Sequence, residues 1–221
     1  MKAAEQGSSN FRKAAKAMYN LAVAYQQGIG VAADPAAAAS WFVKAAEAGN
    51  AKAKYNLGVA YSRGDGVLAD ASKAAVWYKG AAEQGHMMAQ YNLGYAFSTG
   101  AGVSRDDVAA AYWFQKAAES GSANGQFMMG VHYSQGRGVT ADPATSAEWY
   151  RKAAEQGHAH AQHNLAAVLE AGNGVPADAV EAALWYSRAA AQGVARKARR
   201  SSLWELLAQL LPGQRRKEGE L

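Results

Sequence analysis

The chain contains no cysteine, only four prolines and no long hydrophobic run. Without cysteine it has no disulfide, no thiolate metal ligand and no cysteine nucleophile, and it suits oxidising and reducing compartments alike. No apolar run approaches the ~18 residues that a transmembrane helix needs. Because proline is scarce and alanine, the best helix former, is abundant, a mostly β architecture is excluded. Half of the 221 residues are hydrophobic, so the chain can bury a core.

Acidic residues are scarce in one part of the chain. Residues 194–221 hold seven of the 23 lysines and arginines but only three of the 18 acidic residues. Residues 1–193 are therefore nearly neutral, and the net charge of +5 belongs mainly to the C-terminal part. The opening residues, Met1–Gln6, are not followed by a hydrophobic stretch and do not form a signal peptide. The compartment stays open between cytoplasm and periplasm, and the cytoplasm is favoured.

Motifs that carry catalytic chemistry are also missing. The chain has no GxxxxGK[ST], HExxH or GxSxG motif. Its recurrent GxGV follows a helix rather than a strand, so we interpret it as an interhelical turn and not as a phosphate loop. His158, His160 and His163 form the one metal-like cluster, but His158 falls at a helix N-cap and no carboxylate joins the three. The sequence therefore predicts no enzyme, no metal and no cofactor.

What the chain does contain is an internal repeat with a period of 36 residues. Tryptophan recurs at this interval, at Trp41, Trp77, Trp113, Trp149 and Trp185. Aspartate recurs at it too, at Asp34, Asp70, Asp106, Asp142 and Asp178. Such self-similarity predicts a solenoid in which each unit packs on its neighbours.

Each unit is predicted to consist of two helices. In residues 50–85, Asn50 is a candidate N-cap for a first helix over about 51–63, and Gly64 ends that helix. Asp70 then caps a second helix over about 71–84. Small residues recur at fixed positions, and we expect them to let the helices approach closely while the tryptophan and tyrosine of the second helices fill the remaining volume.

Two stretches resemble the Sel1-like repeat (SLR) family, which is related to the tetratricopeptide repeats. They are AKAKYNLGVAYSRGDGV at residues 51–67 and WYRKAAEQG at residues 149–157. The resemblance covers about residues 11–193 and implies an all-α fold, a right-handed superhelical solenoid of about five 36-residue helix-turn-helix repeats. It also implies an adaptor that holds other proteins or peptides, often in bacterial signalling, envelope or secretion contexts. One branch of the family pairs cysteines in each repeat, and this chain does not belong to it.

Both ends of the solenoid, which we assign to residues 1–193, depart from the pattern. Residues 1–7 read as the end of a second helix without its beginning, and six extra residues before Tyr19 would lengthen the first helix by about 9 Å. The chain is then either a fragment of a longer array or begins with a modified cap. In the last unit His163, Ala166 and Leu169 replace a tyrosine, a glycine and a tyrosine, as is typical of terminal repeats.

After the repeats, residues 194–211 are predicted to form an amphipathic capping helix and residues 212–221 a charged flexible tail. Three interpretations of this segment remain open. It caps the open end of the solenoid, it docks on a partner or a second copy, or its basic residues contact anionic lipid or nucleic acid. Nucleic acid is not expected because no recognition motif accompanies the charges, and membrane contact is at most weak. The docking residues would be Leu203, Trp204, Leu207 and Leu210.

The first helices are predicted to line a concave groove that binds a protein or peptide. Lys52, Arg63, Met88 and Tyr95 occupy positions that vary between units, as specificity requires. Met128 interrupts a series of asparagines, and we expect an apolar centre near it, Met88 and Tyr95. The series either holds the backbone of a bound peptide or bridges adjacent helices, and its members are Asn20, Asn56, Asn92 and Asn164.

These observations favour a non-enzymatic adaptor or scaffold that binds a protein segment in its groove. The alternative is a self-assembly or docking element that acts through the hydrophobic C-terminal helix, and this helix would also make an oligomer possible.

Overall fold

The computed structural model describes residues 2–194 of the chain, and for residues 2–10 it describes the backbone only. This part is built from ten consecutive helices and contains no strand. Their bounds are α1 Lys2–Gln27, α2 Pro35–Glu47, α3 Ala51–Arg63, α4 Ala71–Ala82, α5 Met87–Thr99, α6 Asp107–Glu119, α7 Ala123–Gln135, α8 Pro143–Glu155, α9 Ala159–Ala171 and α10 Ala179–Ala191. The predicted helix over 194–211, the tail over 212–221 and the docking residues Leu203, Trp204, Leu207 and Leu210 lie outside the described residues.

Local capping chemistry sets the helix ends. The Asp70 carboxylate accepts a hydrogen bond from the Lys73 backbone N–H at 2.9 Å, and the other four repeated aspartates cap their helices in the same way. Asn50 caps α3 through the Ala53 N–H, and Gly64 closes that helix in the left-handed conformation. The first helix of this unit therefore has the predicted bounds, and the second ends at Ala82, two residues earlier than predicted.

The N-terminal prediction is wrong in one respect. Residues 1–7 were expected to close a second helix, yet α1 runs through Gly7 without a break and has 26 residues, against 13 in α3. A glycine inside a helix costs only about 1 kcal/mol, so the helix can continue through Gly7. Residues 11–14 are all exposed, and Ala15 is the first buried residue whose side chain is described.

Each interior unit packs a ring from its second helix against a glycine on its own first helix. A Cβ atom at Gly58 would overlap the Tyr78 ring, and one at Gly94 or Gly130 would approach Phe114 or Tyr150 as closely. This confirms that small residues allow the close approach. The core rings are, however, the residues that follow each tryptophan, and Trp41, Trp77, Trp113 and Trp149 are only half-buried. Lys44 and Lys152 lie over the faces of Trp41 and Trp149, at 3.9 and 4.2 Å from the ring centroids.

A series of buried glutamines joins successive repeats. Gln126 donates to the Ala118 carbonyl at 3.4 Å and accepts from the Gln156 amide at 2.7 Å. Gln162 makes the equivalent pair of bonds to Ala154 and Gln192. Because each glutamine is at least nine-tenths buried, these bonds satisfy amide groups that would otherwise be costly inside the protein.

The architecture is one-dimensional. Every substantial helix–helix contact in residues 2–194 joins helices that follow one another in sequence, from α1 and α2 to α9 and α10. The fold is therefore an all-α solenoid of helix-turn-helix repeats, as predicted. None of the ten helices is long and apolar enough to cross a membrane.

Candidate functional site

One part of the candidate site is a pocket of about 380 Å³ between α3 and α5, with α4 as its floor; we call it the α4 pocket. Tyr55, Val59, Ser62 and Arg63 approach it from α3. The side supplied by α5 consists of Met88, Asn92, Tyr95 and Ala96, and the floor is made of Ala71, Ala74, Ala75 and Tyr78. Its size and its apolar lining with a few polar groups lie within the range of small-ligand sites.

Tyr78 joins the floor of the α4 pocket to its polar edge. Asn92 and Ser62 both interact with the Tyr78 hydroxyl, so that one side chain from each neighbouring first helix meets the second helix between them. Burial raises the pKa of Tyr78, and the two hydrogen-bonding neighbours offset part of that rise. At neutral pH the hydroxyl is therefore a neutral polar group at the rim of an apolar pocket.

The α4 pocket has a smaller counterpart one repeat earlier. This pocket, of about 210 Å³, is floored by α2, and Phe42 and Val59 stand in it where Tyr78 and Tyr95 stand in the α4 pocket. One repeat later Arg137 stands in the place of Ala101, and its guanidinium pairs with Asp107 at 2.8 Å. The recurring pocket is thus open in the units that contain α2 and α4. In the next unit the ion pair between Arg137 and Asp107 lies at the equivalent place.

A second open pocket, of about 400 Å³, lies between α1 and the turn from α2 into α3. Arg12, Lys16 and Lys52 line this N-terminal basic pocket, together with Tyr19 and Asn20. The first turn of α3 also faces it through Asn50 and Ala51, which adds the positive end of a helix dipole.

One repeat later a ring fills the equivalent space. His86 stands where Asn50 does, and its ring stacks on Tyr55 with the centroids 4.6 Å apart. Burial lowers the pKa of His86, and the positive charge of Lys52 lowers it further. Lys52 therefore lies between the two pockets: it lines the basic one and acts electrostatically on the ring that stacks on Tyr55 of the α4 pocket.

The structure brings six of the nine predicted groove residues into these two pockets. Arg63, Met88, Asn92 and Tyr95 line the α4 pocket, and Asn20 and Lys52 line the N-terminal basic pocket. The remaining three line neither pocket. Asn56 and Asn164 are half-buried on α3 and α9, and Met128 packs against the cluster that contains Phe114 and Met129.

Several lining residues were absent from the predicted set. Tyr55 and Ser62 were not named because nearly invariant positions were assigned to packing. Arg12, Lys16 and Tyr19 were not named because the first unit was treated as atypical. The distribution of charge over the first helices would have indicated Arg12 and Lys16, since three of the six cations among the described side chains of these helices lie within α1.

The histidine cluster is explained by structural contacts. The Nδ1 atom of His158 accepts the Ala161 backbone N–H at 3.2 Å, and its ring stacks on Phe127. His163 meets the Tyr186 ring edge-on, with the centroids 5.3 Å apart. Within residues 2–194 no group of three or more His, Cys, Asp or Glu side chains is arranged to hold a metal ion.

Comparison with known proteins identifies the repeat. The Sel1 repeat model matches five consecutive segments, residues 15–50, 51–86, 88–122, 123–158 and 159–194, and the chain belongs to this family. Sel1 repeat proteins generally serve as protein-interaction scaffolds, and the family is generally non-catalytic. No curated protein matches the chain.

Solved structures share both fold and sequence with this chain. A protective antigen present in uropathogenic Escherichia coli strains, displaying an SLR fold, is 41% identical over 86% of this chain, with a TM-score of 0.79. This chain spans only 40% of that antigen's length. A Sel1 repeat protein from Oxalobacter formigenes is 36% identical over 83% of this chain and 73% of its own, with a TM-score of 0.77. An immunity protein of Pseudomonas aeruginosa is 25% identical over 81% of this chain and 65% of its own, with a TM-score of 0.50.

Proposed function

We propose that this protein is a non-enzymatic adaptor that binds a segment of another protein along the groove formed by its first helices, with the α4 pocket at the centre of the site. The observation that carries the proposal is the exposure of two large apolar side chains at this pocket. Tyr95 is 53% exposed and Met88 is 40% exposed, and both face a cavity of side-chain size. An exposed aromatic ring beside a pocket is a common anchor of protein recognition.

Two further facts support a protein partner. The pocket recurs in the α2 unit at the repeat period, so that an extended segment would meet similar pockets at regular intervals. One structural relative is an immunity protein, and we infer by analogy that the partner of this chain is a protein.

A matched pair of tyrosines tests the proposal. A library of short random peptides displayed on phage is selected against the full chain, and the enriched peptides are synthesised. Their affinities are then measured for Tyr95→Ala and for Tyr112→Ala. Tyr112 is 54% exposed on α6, a second helix, and lines neither pocket, so it controls for the loss of an exposed ring.

We expect Tyr95→Ala to weaken binding by about tenfold or more, because an anchor ring contributes about 2 kcal/mol, and Tyr112→Ala to leave it unchanged. Equal losses in both variants would contradict the placement of the site. Failure to enrich any peptide would contradict the proposed function.

The alternative function, self-assembly or docking through residues 194–211, concerns a part of the chain outside the described residues. Light scattering on residues 1–221 and on residues 1–200, at several concentrations, separates the two. A dimeric full chain with a stable monomeric truncation would favour the alternative over the groove.

A further inference from the structure

The first helices carry an uneven distribution of charge. Among their described side chains, lysine and arginine occur only in α1 and α3, while α5 and α7 carry no lysine, arginine, aspartate or glutamate. The one acid among these described side chains is Glu170, on α9. The acids of residues 11–194 otherwise belong to turns, caps and second helices, so the face that would meet a partner is basic at its N-terminal end and neutral beyond it.

The basic end coincides with the open pockets. Arg12, Lys16 and Lys52 converge on the N-terminal basic pocket, and no acidic residue lines it. Each of these three side chains is exposed, and none takes part in the ion pairs of the described residues. Arg63 adds a fourth cation at the edge of the α4 pocket, which also lacks an acid. Among the residues that line these three pockets, the one acid is Asp65, at the smaller pocket floored by α2.

We propose that the segment bound by this groove is acidic: its carboxylates enter the N-terminal basic pocket, and an adjoining apolar side chain enters the α4 pocket. The inference rests on the proposed function and specifies the chemistry of the partner. Three cations around one pocket, with the positive end of the α3 dipole facing it, complement carboxylates and repel a basic segment. Lys52 of the basic pocket and Tyr55 of the α4 pocket lie one turn apart on α3, which places the apolar pocket next to the basic one.

A protein segment fits this surface better than a nucleic acid does. A polynucleotide needs a run of cations along the groove, and the groove has no lysine or arginine beyond Arg63 on the first helices. Its centre instead offers the exposed Met88 and Tyr95 beside a 380 Å³ pocket, which suits one apolar side chain of a peptide.

Selection of short random phage-displayed peptides against the full chain tests the inference separately from the proposed function. We expect the enriched peptides to contain two or more aspartates or glutamates close to an aromatic or large aliphatic residue. Enrichment of peptides that are neutral or basic, and that depend on Tyr95, would leave the proposed function standing and overturn the acidic partner. If no peptide is enriched, the proposed function fails, and the inference fails with it.

Residues at equivalent positions in other repeats of this chain show which substitutions a repeat tolerates. Lys16 and Lys52 share a position that Met88 and Asn124 occupy in the next repeats, so the test variant combines Lys16→Asn with Lys52→Met. The control combines Lys13→Asn on the same helix with Lys79→Met on α4; both lysines are exposed, and neither lines a pocket.

For a synthetic acidic peptide from the selection we expect the test variant to bind about tenfold or more weakly, and the control to bind within about twofold of the unmodified chain. Thermal unfolding of each variant verifies that it is folded. Equal weakening of peptide binding in the test and control variants would show a diffuse effect of charge. It would contradict the N-terminal basic pocket as the place where the carboxylates bind. A single-stranded DNA oligonucleotide that competes with the peptide at equal concentration would overturn the choice of a protein segment.

Discussion

At the scale of single residues, the turn between the two helices of a unit shows how one missing side chain joins two repeats. Gly66 has φ +72°, and a Cβ atom there would overlap the carbonyl group of Pro35 in the preceding unit. Gly30 occupies the same turn position with the same φ, but no atom of the described residues lies within 4 Å of the equivalent Cβ. The two glycines therefore share a backbone conformation and differ only in what they contact.

Replacing each of these two glycines with alanine separates the cost of the left-handed backbone conformation from the cost of overlap with Pro35. Gly30→Ala is expected to lower the free energy of unfolding by about 1–2 kcal/mol, the cost of a left-handed conformation for alanine. Gly66→Ala is expected to cost about 1–3 kcal/mol more, because the turn must move away from Pro35. Urea unfolding measures both. Equal losses would show that the turn does not need its close contact with the preceding repeat.

His132 is a buried titratable residue at a position that is alanine in the three preceding repeats. It is fully buried, its Nδ1–H donates to the Arg137 carbonyl at 2.6 Å, and its Nε2 has no hydrogen-bond partner in the structure. Burial, the largest cause, lowers the pKa of His132, and the nearby Arg137 charge adds to the effect. Protonation is therefore easier in the unfolded chain than in the folded one.

The sign of the pH dependence follows from this lowered pKa. The unfolded chain takes up a proton as the pH falls through about 6.5, while folded His132 resists protonation until its lower pKa is reached, so stability is lost between these two values. We expect the unmodified chain to lose more stability between about pH 7.5 and about pH 5.5 than His132→Ala does. The variant keeps His86 and His158, whose pKa values are also lowered, so a smaller dependence remains. Identical pH profiles from urea unfolding would contradict the assignment.

At the scale of helices, the glutamine series is the polar connection between units. Replacing Gln126 measures how much this connection contributes to stability. Gln126→Ala removes the partner of the Gln156 amide and one of the donors to the Ala118 carbonyl, and we expect a loss of about 1–3 kcal/mol in the free energy of unfolding. Gln115 is an exposed glutamine that bonds Glu119 within α6, so Gln115→Ala should change stability by less than about 0.5 kcal/mol. Chemical denaturation of both variants makes the comparison, and equal effects would show that the buried bonds contribute nothing specific.

Helix boundaries could be predicted from the sequence wherever they depend on local chemistry. Asp70, Asn50 and Gly64 act on their own helix ends, and residues three or four positions apart are enough to identify such caps. The glutamine series could not be found in this way, because its partners are 30 residues apart and a buried glutamine leaves no hydrophobic pattern. The length of α1 was mispredicted because Gly7 was taken as a helix end, whereas a glycine inside a helix costs only about 1 kcal/mol and α1 runs through it.

At the scale of the whole molecule, the candidate site was predictable only in part. Variation between units identified Arg63, Met88 and Tyr95, and the solenoid brings these three into one pocket. Variation between units did not indicate in which repeat such a pocket would be open. That depends on single substitutions at equivalent places: Asn50 leaves a pocket that His86 fills one unit later. Such differences become visible only when neighbouring helices are in place.

The one-dimensional arrangement of the fold leads to a last prediction, about removing a whole unit. Each substantial contact joins sequence neighbours, so deleting residues 87–122 brings α4 against α7 through positions equivalent to those it now uses. His86 would then cap α7 where Ser122 does now, and Gly125 would meet Ala81 and Ala82 in place of Ala117 and Ala118. We expect the shortened chain to remain helical and to unfold cooperatively, with lower stability because one set of interfaces is lost.

The control deletes only residues 105–122, which removes α6 and leaves two first helices in succession. Gly94 then loses the Phe114 ring that packs on it, and α7 loses the preceding second helix and keeps only its contact with α8. Circular dichroism during thermal unfolding should show a cooperative transition for the whole-unit deletion and a broad one for the half-unit deletion. If both deletions unfold alike, stability does not reside in interfaces between neighbouring units, and the solenoid would have to be treated as a single cooperative core in which no repeat can replace another.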